Sequence, residues 1–462
     1  MRKGQEYSGI IDKTVFPTKG YTTVVDNNGD QQRVMIKGTI PGQKVDFRVS
    51  KKRSGKWEGR LLSIVEDSPL ENRVSPCPAY GKCGGCTYLK MDYDNQLNIK
   101  KNMVKELIDN VTTDYEFQGI IPSPLENGYR NKMEYSFGDE KKGGELALGM
   151  HKKNSFYDIV TTDECVITHE DYNKIVRFVL NLCRKEGLTF YHKMSREGYL
   201  RNLLIRRGVR SQEILVALVS TTQWTKEEME KDFFEKLVEG IKNLQLQGNV
   251  TGILNIKNDG LADMVRADSI EVLYGRDYIH EQVLGLDFKI STFSFFQTNS
   301  LGAEKLYEKA REYCGDTKDK LVFDLYCGTG TISQILASVA KKVIGVEIVE
   351  EAVEAAKENA KINGLNNCEF IAGDVLKVLD EVEDKPDLIV LDPPRDGVHP
   401  KALEKIINYG VENLVYISCK PTSLARDIEI LKAGGYNLKK MCVVDMYPQN
   451  YHAETVTLLT RG

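Results

Sequence analysis

Cys419 is the residue of this chain whose setting allows the widest range of chemistry. It lies in YISCKPTSLARD, residues 416–427, where it ends an apolar run and precedes Lys420 and Pro421. A cysteine in this position can pack in a core, bind a metal, form a disulfide or act as a nucleophile. The elements that position it in the fold must decide between these four roles.

A second group of cysteines occurs in CPAYGKCGGCTYL, where Cys77, Cys83 and Cys86 follow a C-x5-C-x2-C spacing, and DECVITH adds Cys165. Four thiolates suit zinc and an iron–sulfur cluster equally well, and the spacing does not choose between them. The remaining cysteines have no partner pattern, and we expect them to be buried or incidental: Cys183, Cys314, Cys327, Cys368 and Cys442.

The composition is typical of a folded soluble protein of two to four domains, with 462 residues, 41% apolar and 28% charged. The chain has no apolar run of about 18 residues, and its start, MRKGQEYSG, lacks the apolar centre of a secretory signal. We therefore expect a cytoplasmic protein without a membrane segment, in which the cysteines stay reduced rather than forming disulfides.

The net charge of −4 hides an asymmetry along the chain. Residues 1–65 contain 13 Lys and Arg against 6 Asp and Glu, whereas residues 321–462 contain 15 against 21. The basic N-terminal part is a candidate for contact with phosphates, although an ordinary solvated basic face is an equal alternative.

The pattern of apolar residues and turns predicts three domains. Residues 1–66 alternate β-branched runs with turns such as DNNGD, which predicts an OB-like β-barrel. Residues 67–290 mix strand patterns, for example LIRRGVRSQEILVALVS, with helical ones such as HEDYNKIVRFVLNLCRKEG, and we predict a central α+β domain. Residues 291–462 form the third domain.

From residue 321 onward, short apolar runs alternate regularly with helical patterns, which predicts an α/β, Rossmann-like parallel sheet. Ligands of such sheets bind at the carboxyl ends of the strands. VFDLYCGTGTIS places Asp324, Gly328 and Gly330 at the first of these ends, and Glu347 closes the second strand, where it could bind ribose hydroxyls. Asp374 follows the third strand and could reach an adenine amino group. This arrangement resembles that of S-adenosylmethionine-dependent methyltransferases, with NAD binding as the alternative for the fold alone.

Cys419 follows the fifth predicted strand, and we expect it beside Asp392, which follows the fourth. A thiolate there could add to C6 of a pyrimidine and make C5 nucleophilic enough to accept a methyl group, after which a base must remove the C5 proton. Glu454 in HAE is the candidate base and His452 a weaker competitor. Arg395 stands where an enzyme of adenine N6 would carry an aromatic residue, which disfavours that reaction.

Five segments together resemble the RNA uracil-5-methyltransferases, which make 5-methyluridine in ribosomal or transfer RNA: FSFFQTN at 293–299, DLYCGTGT at 324–331, LDPPR at 391–395, SCKPTSLARD at 418–427 and HAETV at 452–456. With the N-terminal barrel and the cysteine group, the resemblance covers essentially the whole chain.

The resemblance implies that Cys419 is the nucleophile and Glu454 the base. It also implies a set of contacts to the cofactor or the base: Gln297, Tyr326, Thr331, Glu347, Asp374 and Asp392. Lys420 departs from the family, which more often has Asn or Asp after the cysteine. A lysine there could lower the pKa of the thiol or bind an RNA phosphate.

The resemblance further implies two cofactors, S-adenosylmethionine and a [4Fe–4S] cluster on Cys77, Cys83, Cys86 and Cys165. We expect the cluster to be structural or to orient RNA, because this methyl transfer moves no electrons. The N-terminal barrel resembles a TRAM module. The branch with both features looks ribosomal, so 23S ribosomal RNA is favoured over transfer RNA as the substrate, and we expect a monomer.

Two segments, GYRNKMEYSF at 128–137 and YLRNLLIRRGVR at 199–210, interleave basic residues with Tyr and Asn. This pattern suits single-stranded RNA, although an ordinary solvated strand face is an equal alternative. The target uridine must leave its stack to reach Cys419. A non-catalytic iron–sulfur RNA-binding protein remains an alternative. A 5-methylcytosine enzyme is disfavoured because Arg395, rather than cysteine, follows Pro394.

Overall fold

The computed structural model describes residues 1–224, 227–261, 266–382 and 384–462. These residues divide into two compact units. The first unit consists of Met1–Ser75, Thr87–Pro122 and Pro393–Gly462, and the second of Pro76–Cys86 and Ser123–Asp392. The units do not coincide with the three predicted domains, 1–66, 67–290 and 291–462, which stay a prediction. Within the described residues, no helix is long and apolar enough to cross a membrane.

The first 66 residues form a six-stranded sheet in the order β1-β5-β6-β4-β3-β2. Its strands are β1 Glu6–Ile10, β2 Lys13–Val15, β3 Lys19–Val25, β4 Gln31–Lys37, β5 Lys44–Arg53 and β6 Lys56–Glu66. Neighbours are antiparallel except β4 and β6. Val45, Phe47 and Val49 on β5 are fully buried and alternate with more exposed residues, as expected for a strand with one face on a core. The turn predicted at DNNGD is confirmed and joins β3 to β4.

Between residues 93 and 291, the part of the chain that the structure describes contains ten strands and three helices. The strands are β7 Glu116–Ile121, β8 Lys132–Asp139, β9 Leu146–His151, β10 Ile159–Thr161, β11 Leu200–Arg207, β12 Glu213–Ser220, β13 Asn249–Lys257, β14 Ser269–Gly275, β15 Tyr278–Val283 and β16 Leu286–Ser291. The helices are α1 Tyr93–Asp109, α2 Glu170–Lys185 and α3 Glu227–Asn243.

A seven-stranded sheet in the second unit has the order β10-β9-β8-β11-β12-β13-β14. Helices α2 and α3 cover it, and Tyr135, Val176, Leu203 and Phe233 belong to the shared core. This confirms the predicted α+β character. The single strand candidate LIRRGVRSQEILVALVS is instead two strands, β11 and β12, joined by a turn in which Gln212 has φ +60°.

Helix α2 shows how local sequence sets these boundaries. His169 caps its start, because the ring Nδ1 accepts a hydrogen bond from the backbone N–H of Asp171 at 3.2 Å. Glu170 and Asp171 lie in the first turn, and Arg184 and Lys185 in the last. Both sets of charges favour the helix dipole, so the ends of α2 follow from the sequence HEDYNKIVRFVLNLCRK.

The C-terminal elements follow the predicted alternation of strands and helices: α4 Ser300–Cys314, β17 Leu321–Leu325, α5 Thr331–Ala337, β18 Lys342–Glu347, α6 Glu350–Ile362, β19 Cys368–Ala372, α7 Val375–Glu381, β20 Leu388–Leu391, α8 Pro400–Tyr409, β21 Asn413–Ser418, α9 Pro421–Ala433, β22 Tyr436–Val444 and β23 Glu454–Arg461. The second unit carries the parallel strands in the order β19-β18-β17-β20. This confirms the α/β, Rossmann-like class.

The first unit carries the strand order β21-β23-β22-β7. The pairs β21–β23 and β22–β23 are antiparallel, whereas β22 and β7 are parallel. Strand β7 lies within the range predicted as the central domain, yet its partner is β22 near the end of the chain. This long-range pairing explains why the compact units differ from the predicted ranges.

Candidate functional site

Cys419 and Glu454 lie at the same end of one antiparallel ladder. The last pair of β21 and β23 joins Ser418 to Thr455. Cys419 is the residue after Ser418, and Glu454 is the residue before Thr455, so each flanks that pair on the same side. Glu454 is 3% exposed, and Cys419 is partly exposed. The register therefore brings the candidate nucleophile and the candidate base to the same end of the ladder, although 34 residues separate them in the sequence.

The loop that leads into Glu454 is held by helix α1. Lys100 and Asp445 are fully buried and pair at 2.7 Å, and Lys100 Nζ also donates to the carbonyl of Tyr447. Gln96 and Gln449 exchange two hydrogen bonds at 2.8 and 2.9 Å. These contacts fix the chain at two points shortly before the carboxylate, which limits where Glu454 can be.

The last step into Glu454 is fixed by packing. Ala453 is 1% exposed and packs with Val104 of α1 and Val443 of β22. His452, the weaker candidate base, is partly buried, and its ring centroid lies 4.3 Å from that of Tyr451. Ala453 thus anchors the main chain at the position from which Glu454 enters the ladder.

Cys419 lies directly before helix α9. Pro421 occupies the start of this helix, and Lys420 precedes it in an extended conformation. Pro421 has no N–H, and the Lys420 N–H donates to Ser418 Oγ at 3.2 Å, so it is the helix dipole that favours negative charge at this end of α9. Lys420 Nζ lies 3.7 Å from Asp396 Oδ1, and the two side chains are 42% and 99% exposed. Exposed ion pairs of this kind are weak, so the Lys420 ammonium remains available for other contacts.

The loop after DPP is tied to the same helix. Asp427 of α9 is fully buried and accepts hydrogen bonds from the Tyr416 hydroxyl at 2.6 Å and from the Val398 N–H at 2.9 Å. Ser423 Oγ donates to the carbonyl of Arg395 at 2.8 Å. Arg395 itself is exposed. Helix α9 therefore positions both the thiol and the loop that carries Arg395.

The predicted cofactor turn follows β17 in the second unit. Tyr326 has φ +69°, a left-handed conformation that is strained for a residue with a side chain. Gly328 and Gly330 follow with φ +54° and +73°. Thr331 begins α5 and is 7% exposed. The turn thus folds back tightly at the carboxyl end of β17, where the backbone is open to close approach by a ligand.

Replacing Gly330 by Ala is expected to destabilise the protein by more than the backbone penalty of about 1 kcal/mol, and to weaken binding of S-adenosylmethionine. A Cβ there would lie 2.6 Å from Phe370 Cε1 and 2.9 Å from Ala356 Cβ. Gly364→Ala is the matched control, because Gly364 has φ +65° but no atom within 4 Å of its Cβ position. Urea unfolding and calorimetric titration with the cofactor measure both effects. Equal losses in the two variants would show that close packing at Gly330 has no importance.

Glu347 and Asp374 lie at the ends of neighbouring strands β18 and β19, but their surroundings differ. The Glu347 carboxylate accepts hydrogen bonds from the N–H groups of Gly328 at 3.1 Å and Val349 at 3.0 Å. These contacts orient it while leaving lone pairs for ribose hydroxyls. Asp374 is exposed and caps α7 by accepting from the Leu376 N–H at 2.9 Å. One of its oxygens is therefore already engaged in the fold.

Two carboxyl groups belong to neighbouring strands: Asp324 lies on β17, and Asp392 directly follows β20. Asp324 is fully buried; its Oδ2 accepts from Ser333 Oγ at 2.5 Å, while its Oδ1 has no hydrogen-bond partner among the described residues. Burial raises the pKa of Asp324 to about 6. Burial and the charge of Asp324 raise the pKa of Asp392 to about 7, and Asp392 is partly open to solvent. A bound cation would favour the charged form of both groups. Asp324 is a site candidate to which the sequence analysis gave no role beyond the turn.

Asp324→Asn is expected to gain stability relative to the wild-type protein as the pH rises from about 4 to about 6. In this range the unfolded carboxyl, with its ordinary pKa of 3.8, has lost its proton, whereas the folded one, with a pKa of about 6, keeps it. Wild-type stability therefore falls with rising pH, by roughly 3 kcal/mol in total, and is constant above that range. Urea unfolding below and above the range measures the difference. Asp374→Asn, at an exposed carboxyl, is the control, and parallel curves for wild-type and Asp324→Asn would contradict the expectation.

Gln297 lies in residues 292–300, a segment that Asn131 and Arg206 hold in place by hydrogen bonds. It is 9% exposed, and its carbonyl accepts from Asn131 Nδ2 at 3.1 Å. Arg206 is 3% exposed and donates to the carbonyls of Thr292, at 3.0 Å, and of Ser294. Asn131 and Arg206 come from the two segments interpreted as RNA contacts. For these two residues that interpretation is wrong, because they are buried and engaged in the fold.

Phe295 is a further residue to which the sequence analysis gave no role. Its side chain is 68% exposed, and its carbonyl accepts from Thr329 Oγ1 at 3.3 Å, so it lies beside the Gly328 turn. Its position two residues before Gln297 in FSFFQTN was the available signal. An aromatic ring open to solvent beside this turn can stack on a planar ligand group.

The four cysteines of the predicted metal site are near one another in the second unit. Burial raises the pKa of Cys83 to about 11, and the charges of Cys165 and Cys77 add to this rise. Burial and the other three thiols likewise raise the pKa of Cys86. Nevertheless, no group of three or more His, Cys, Asp or Glu within the described ranges has the arrangement of a metal site. The thiols are thus neighbours without being positioned as ligands.

The loop that carries these cysteines is attached to strand β9. Cys83 forms a β-bridge with Lys152, and the Gly84 N–H donates to the carbonyl of His151 at 3.3 Å. Of the remaining cysteines, Cys183, Cys314, Cys327 and Cys442 are buried and Cys368 is partly exposed.

Comparison with known proteins assigns the chain to a family. The family described as tRNA (Uracil-5-)-methyltransferase matches residues 92–462. Proteins named "Uncharacterized RNA methyltransferase" from Clostridium tetani and from Caldanaerobacter subterraneus subsp. tengcongensis are each 49% identical over 463 residues. These matches cover 100% of this chain and 99% and 100% of the relatives.

A solved structure shares the fold. The tRNA (uracil-54, C5)-methyltransferase of Pyrococcus abyssi, in complex with S-adenosyl-L-homocysteine, matches 98% of this chain and 100% of its own, with a TM-score of 0.75 and 24% identity. From the family match and the full-length relatives, the chain belongs to the tRNA (uracil-5-)-methyltransferase family of RNA methyltransferases.

Proposed function

We propose that the protein methylates C5 of a uridine in RNA, with S-adenosylmethionine as the methyl donor, Cys419 as nucleophile and Glu454 as base. The observation that carries the proposal is the register of β21 and β23, which places the thiol and the carboxyl on the same side of the pair Ser418–Thr455. Uracil C5 requires both groups, because it is too weak a nucleophile to take a methyl group unaided and must lose a proton afterwards.

The reaction proceeds through a covalent bond between enzyme and base. The Cys419 thiolate adds to C6 of uracil, which breaks the C5–C6 double bond and moves negative charge to C5 and O4. S-adenosylmethionine, when bound, supplies an electrophilic methyl group to C5. Glu454 then accepts the C5 proton, the double bond forms again, and the bond between Cys419 and C6 breaks to release the thiolate. The start of α9 stabilises that thiolate at both ends of the cycle.

The cofactor residues fit a nucleoside with a positively charged sulfur. The Glu347 carboxylate, oriented by two N–H groups, is suited to the ribose hydroxyls. The raised pKa values of Asp324 and Asp392 mark carboxyl groups that gain from a nearby cation. We assign the other cofactor contacts to three residues around the same turn: Gln297, Tyr326 and Thr331. Asp374 would contribute only the oxygen that does not cap α7.

We propose 23S ribosomal RNA as the substrate, with transfer RNA as the alternative that the family description names. The ribosomal choice rests on the N-terminal sheet, which we interpret as a TRAM-like RNA-binding module, and on the four cysteines. Lys52 Nζ, near the β5–β6 turn, lies 5.0 Å from the centre of the Trp57 ring. This pair offers a positive charge and an aromatic ring to RNA. The monomeric state and the cytoplasmic location stay predictions.

We further propose that Cys77, Cys83, Cys86 and Cys165 hold a [4Fe–4S] cluster. The donor set fits, because the four thiols lie near one another and burial raises the pKa of Cys83, Cys86 and Cys165, so that a bound cation would be needed to keep these three deprotonated. Bound there, the cluster would tie the cysteine loop to Cys165 and β9. Iron and sulfide analysis of protein purified without oxygen, with Cys83→Ser as the variant, tests this assignment.

The test of the main proposal is to map 5-methyluridine by mass spectrometry in RNA from cells with and without the gene. We expect one or two sites in 23S ribosomal RNA to lose the modification. Loss at a transfer-RNA site would select the alternative substrate. No change in any 5-methyluridine, together with unaltered RNA binding by the purified protein, would favour a non-catalytic RNA-binding role.

A further inference from the structure

A cleft in the second unit lies among residues that the proposed chemistry does not use. It is partly open to solvent rather than an enclosed cavity. Four aromatic residues line it: Phe137, Tyr157, Phe190 and Tyr191. The polar lining consists mainly of donors or basic groups, His151, His192, Lys193, Arg201 and Asn202, with Asp139 as the acid. The cleft therefore combines flat apolar walls with positive charge.

Large apolar side chains beside the cleft are exposed to water. Phe156 is 84% exposed, Tyr157 61% and Met194 73%. Tyr157 and Phe156 lie on the turn between β9 and β10, and Met194 lies on the turn that precedes β11. Tyr157 Oη contacts Met194 Sδ at 4.0 Å, which joins the two turns. Clustered exposure of this kind marks a binding surface rather than ordinary scatter.

The turns that carry these side chains are well defined. Lys152 N–H donates to the carbonyl of Asp158 at 2.9 Å, and Asn154 takes a left-handed φ of +65°. On the other side, His192 N–H donates to the carbonyl of Glu197 at 2.7 Å. The exposed rings are thus presented by hydrogen-bonded turns, and little conformational entropy is lost when a ligand stacks on them.

Arg201 supplies a fixed charge in the wall. It is 8% exposed, and its guanidinium carbon lies 4.5 Å from the centre of the Tyr191 ring. Its Nη1 donates to the carbonyls of Asn258 at 2.9 Å and Gly260 at 2.7 Å. The fold therefore engages this guanidinium, which contributes positive charge to the wall of the cleft. Asn202 beside it offers an amide that can both donate and accept.

We propose that this cleft binds an unstacked nucleotide of the substrate RNA, other than the uridine that is methylated. Stacking on Tyr157 or Phe156 would hold the base, Lys193 and Asn202 would contact its edge and phosphate, and the positive charge of Arg201 in the wall would favour the phosphate. Rings interleaved with cations and amides are the chemistry by which single-stranded RNA is recognised, whereas an apolar peptide would make no use of the positive charge in the wall. The proposal rests on the proposed function only in that RNA is the substrate.

Binding of a fluorescein-labelled single-stranded RNA dodecamer of mixed sequence, followed by anisotropy, tests the cleft. We expect Tyr157→Ala and Phe156→Ala to raise Kd at least about fivefold, because one stacked base contributes about that factor or more. Tyr157→Phe keeps the ring and is expected to bind like wild-type. Val272→Ala is the control, since Val272 is also an exposed apolar residue but lies on β14, the opposite edge strand of the same sheet.

A second arm separates stacking from contact with the RNA backbone. With abasic nucleotides in the dodecamer, wild-type and Tyr157→Ala are expected to bind equally. Ultraviolet cross-linking of wild-type to the intact RNA is expected to label peptides that contain residues 151–157 or 190–193. Wild-type affinity in both alanine variants, or cross-links confined to other peptides, would overturn the proposal.

The result is independent of the main proposal. If wild-type forms 5-methyluridine while the alanine variants bind RNA as wild-type does, the cleft proposal fails and the proposed function stands. If wild-type forms none while these variants still bind RNA more weakly, the proposed function fails and the cleft remains an RNA site.

Discussion

RNA incubated with the Cys419→Ala variant is expected to contain no 5-methyluridine above background. Without the thiol, no group can add to C6, and C5 remains too weak a nucleophile to take the methyl group. We expect a loss in rate of at least about 10⁴-fold, as for other enzymes that lose their nucleophile. Tritium release from RNA labelled at C5 of uridine measures the reaction. S-adenosylmethionine should bind unchanged, because its proposed contacts lie on other residues.

Cys368→Ala is the matched control, because Cys368 is also partly exposed but begins β19 and has no predicted role. It should methylate RNA as the wild-type does. Methylation by Cys419→Ala at more than a few per cent of the wild-type rate would contradict covalent catalysis by this residue.

Glu454→Gln extends the same test to the base. The proposed mechanism requires addition of Cys419 and methyl transfer before the base acts, so the variant should stop with RNA still bound to Cys419. We expect turnover to fall about 10²- to 10⁴-fold and a protein–RNA adduct to appear on denaturing gels. The adduct should vanish in the double variant with Cys419→Ala. Turnover at the wild-type rate would move the role of base to another residue, with His452 the next to test.

Replacing Lys100 by Met is expected to cost about 3–5 kcal/mol of unfolding free energy, the largest stability effect among single substitutions considered. Lys100 and Asp445 are both fully buried, and burial lowers the pKa of the Lys100 ammonium against the pull of Asp445. Asp445 Oδ2 has no hydrogen-bond partner among the described residues. Without Lys100, the carboxylate would keep its burial and lose the cation that compensates it. Urea unfolding measures the loss.

Lys105→Met is the control on the same helix. Lys105 pairs with Asp109 at 2.5 Å, but their side chains are 43% and 30% exposed, and such pairs contribute about 0.5 kcal/mol. Adding Asp445→Leu to Lys100→Met should recover part of the stability, because the unpaired charge is gone. A cost for Lys100→Met no greater than that for Lys105→Met would show that the buried pair does not hold the loop.

The C-terminal elements could be predicted from sequence because local signals agree there. Apolar runs such as LVFDLY and DLIVLDPP are short, and helices with clear periodicity separate them, so the strands β17 to β21 appeared where expected, whereas β22 begins at Tyr436, before the predicted run CVVDMYPQN. Strand β7 could not be placed in this way. EFQGII reads as a strand, but nothing local shows that it pairs with β22, since pairing across such a distance depends on the packing of α1 against Val443 and Ala453.

The candidate site divides in the same manner. Cys419 and Glu454 were chosen for their chemistry, and the facing positions come from a ladder register that the sequence alone does not specify. Asn131 and Arg206 show the opposite case. The charge of Arg206 and the amide of Asn131 suggested contact with RNA. Both residues are instead buried and hold residues 292–300 in place by hydrogen bonds. A single sequence predicts burial poorly in a sheet that is covered on both faces. Arg201, on the same strand as Arg206, faces a cleft instead.

The parallel pairing of β7 with β22 has a consequence for synthesis. During translation, residues 116–121 leave the ribosome more than three hundred residues before their partner, Lys440–Val444, has been made. The first unit can form completely only after β22 and β23 have left the ribosome. Until then, the apolar faces of helix α1 and strand β7 are uncovered. We infer that a chain cut after β20 would retain a parallel sheet but expose this edge, and that chaperones would meet the protein there first.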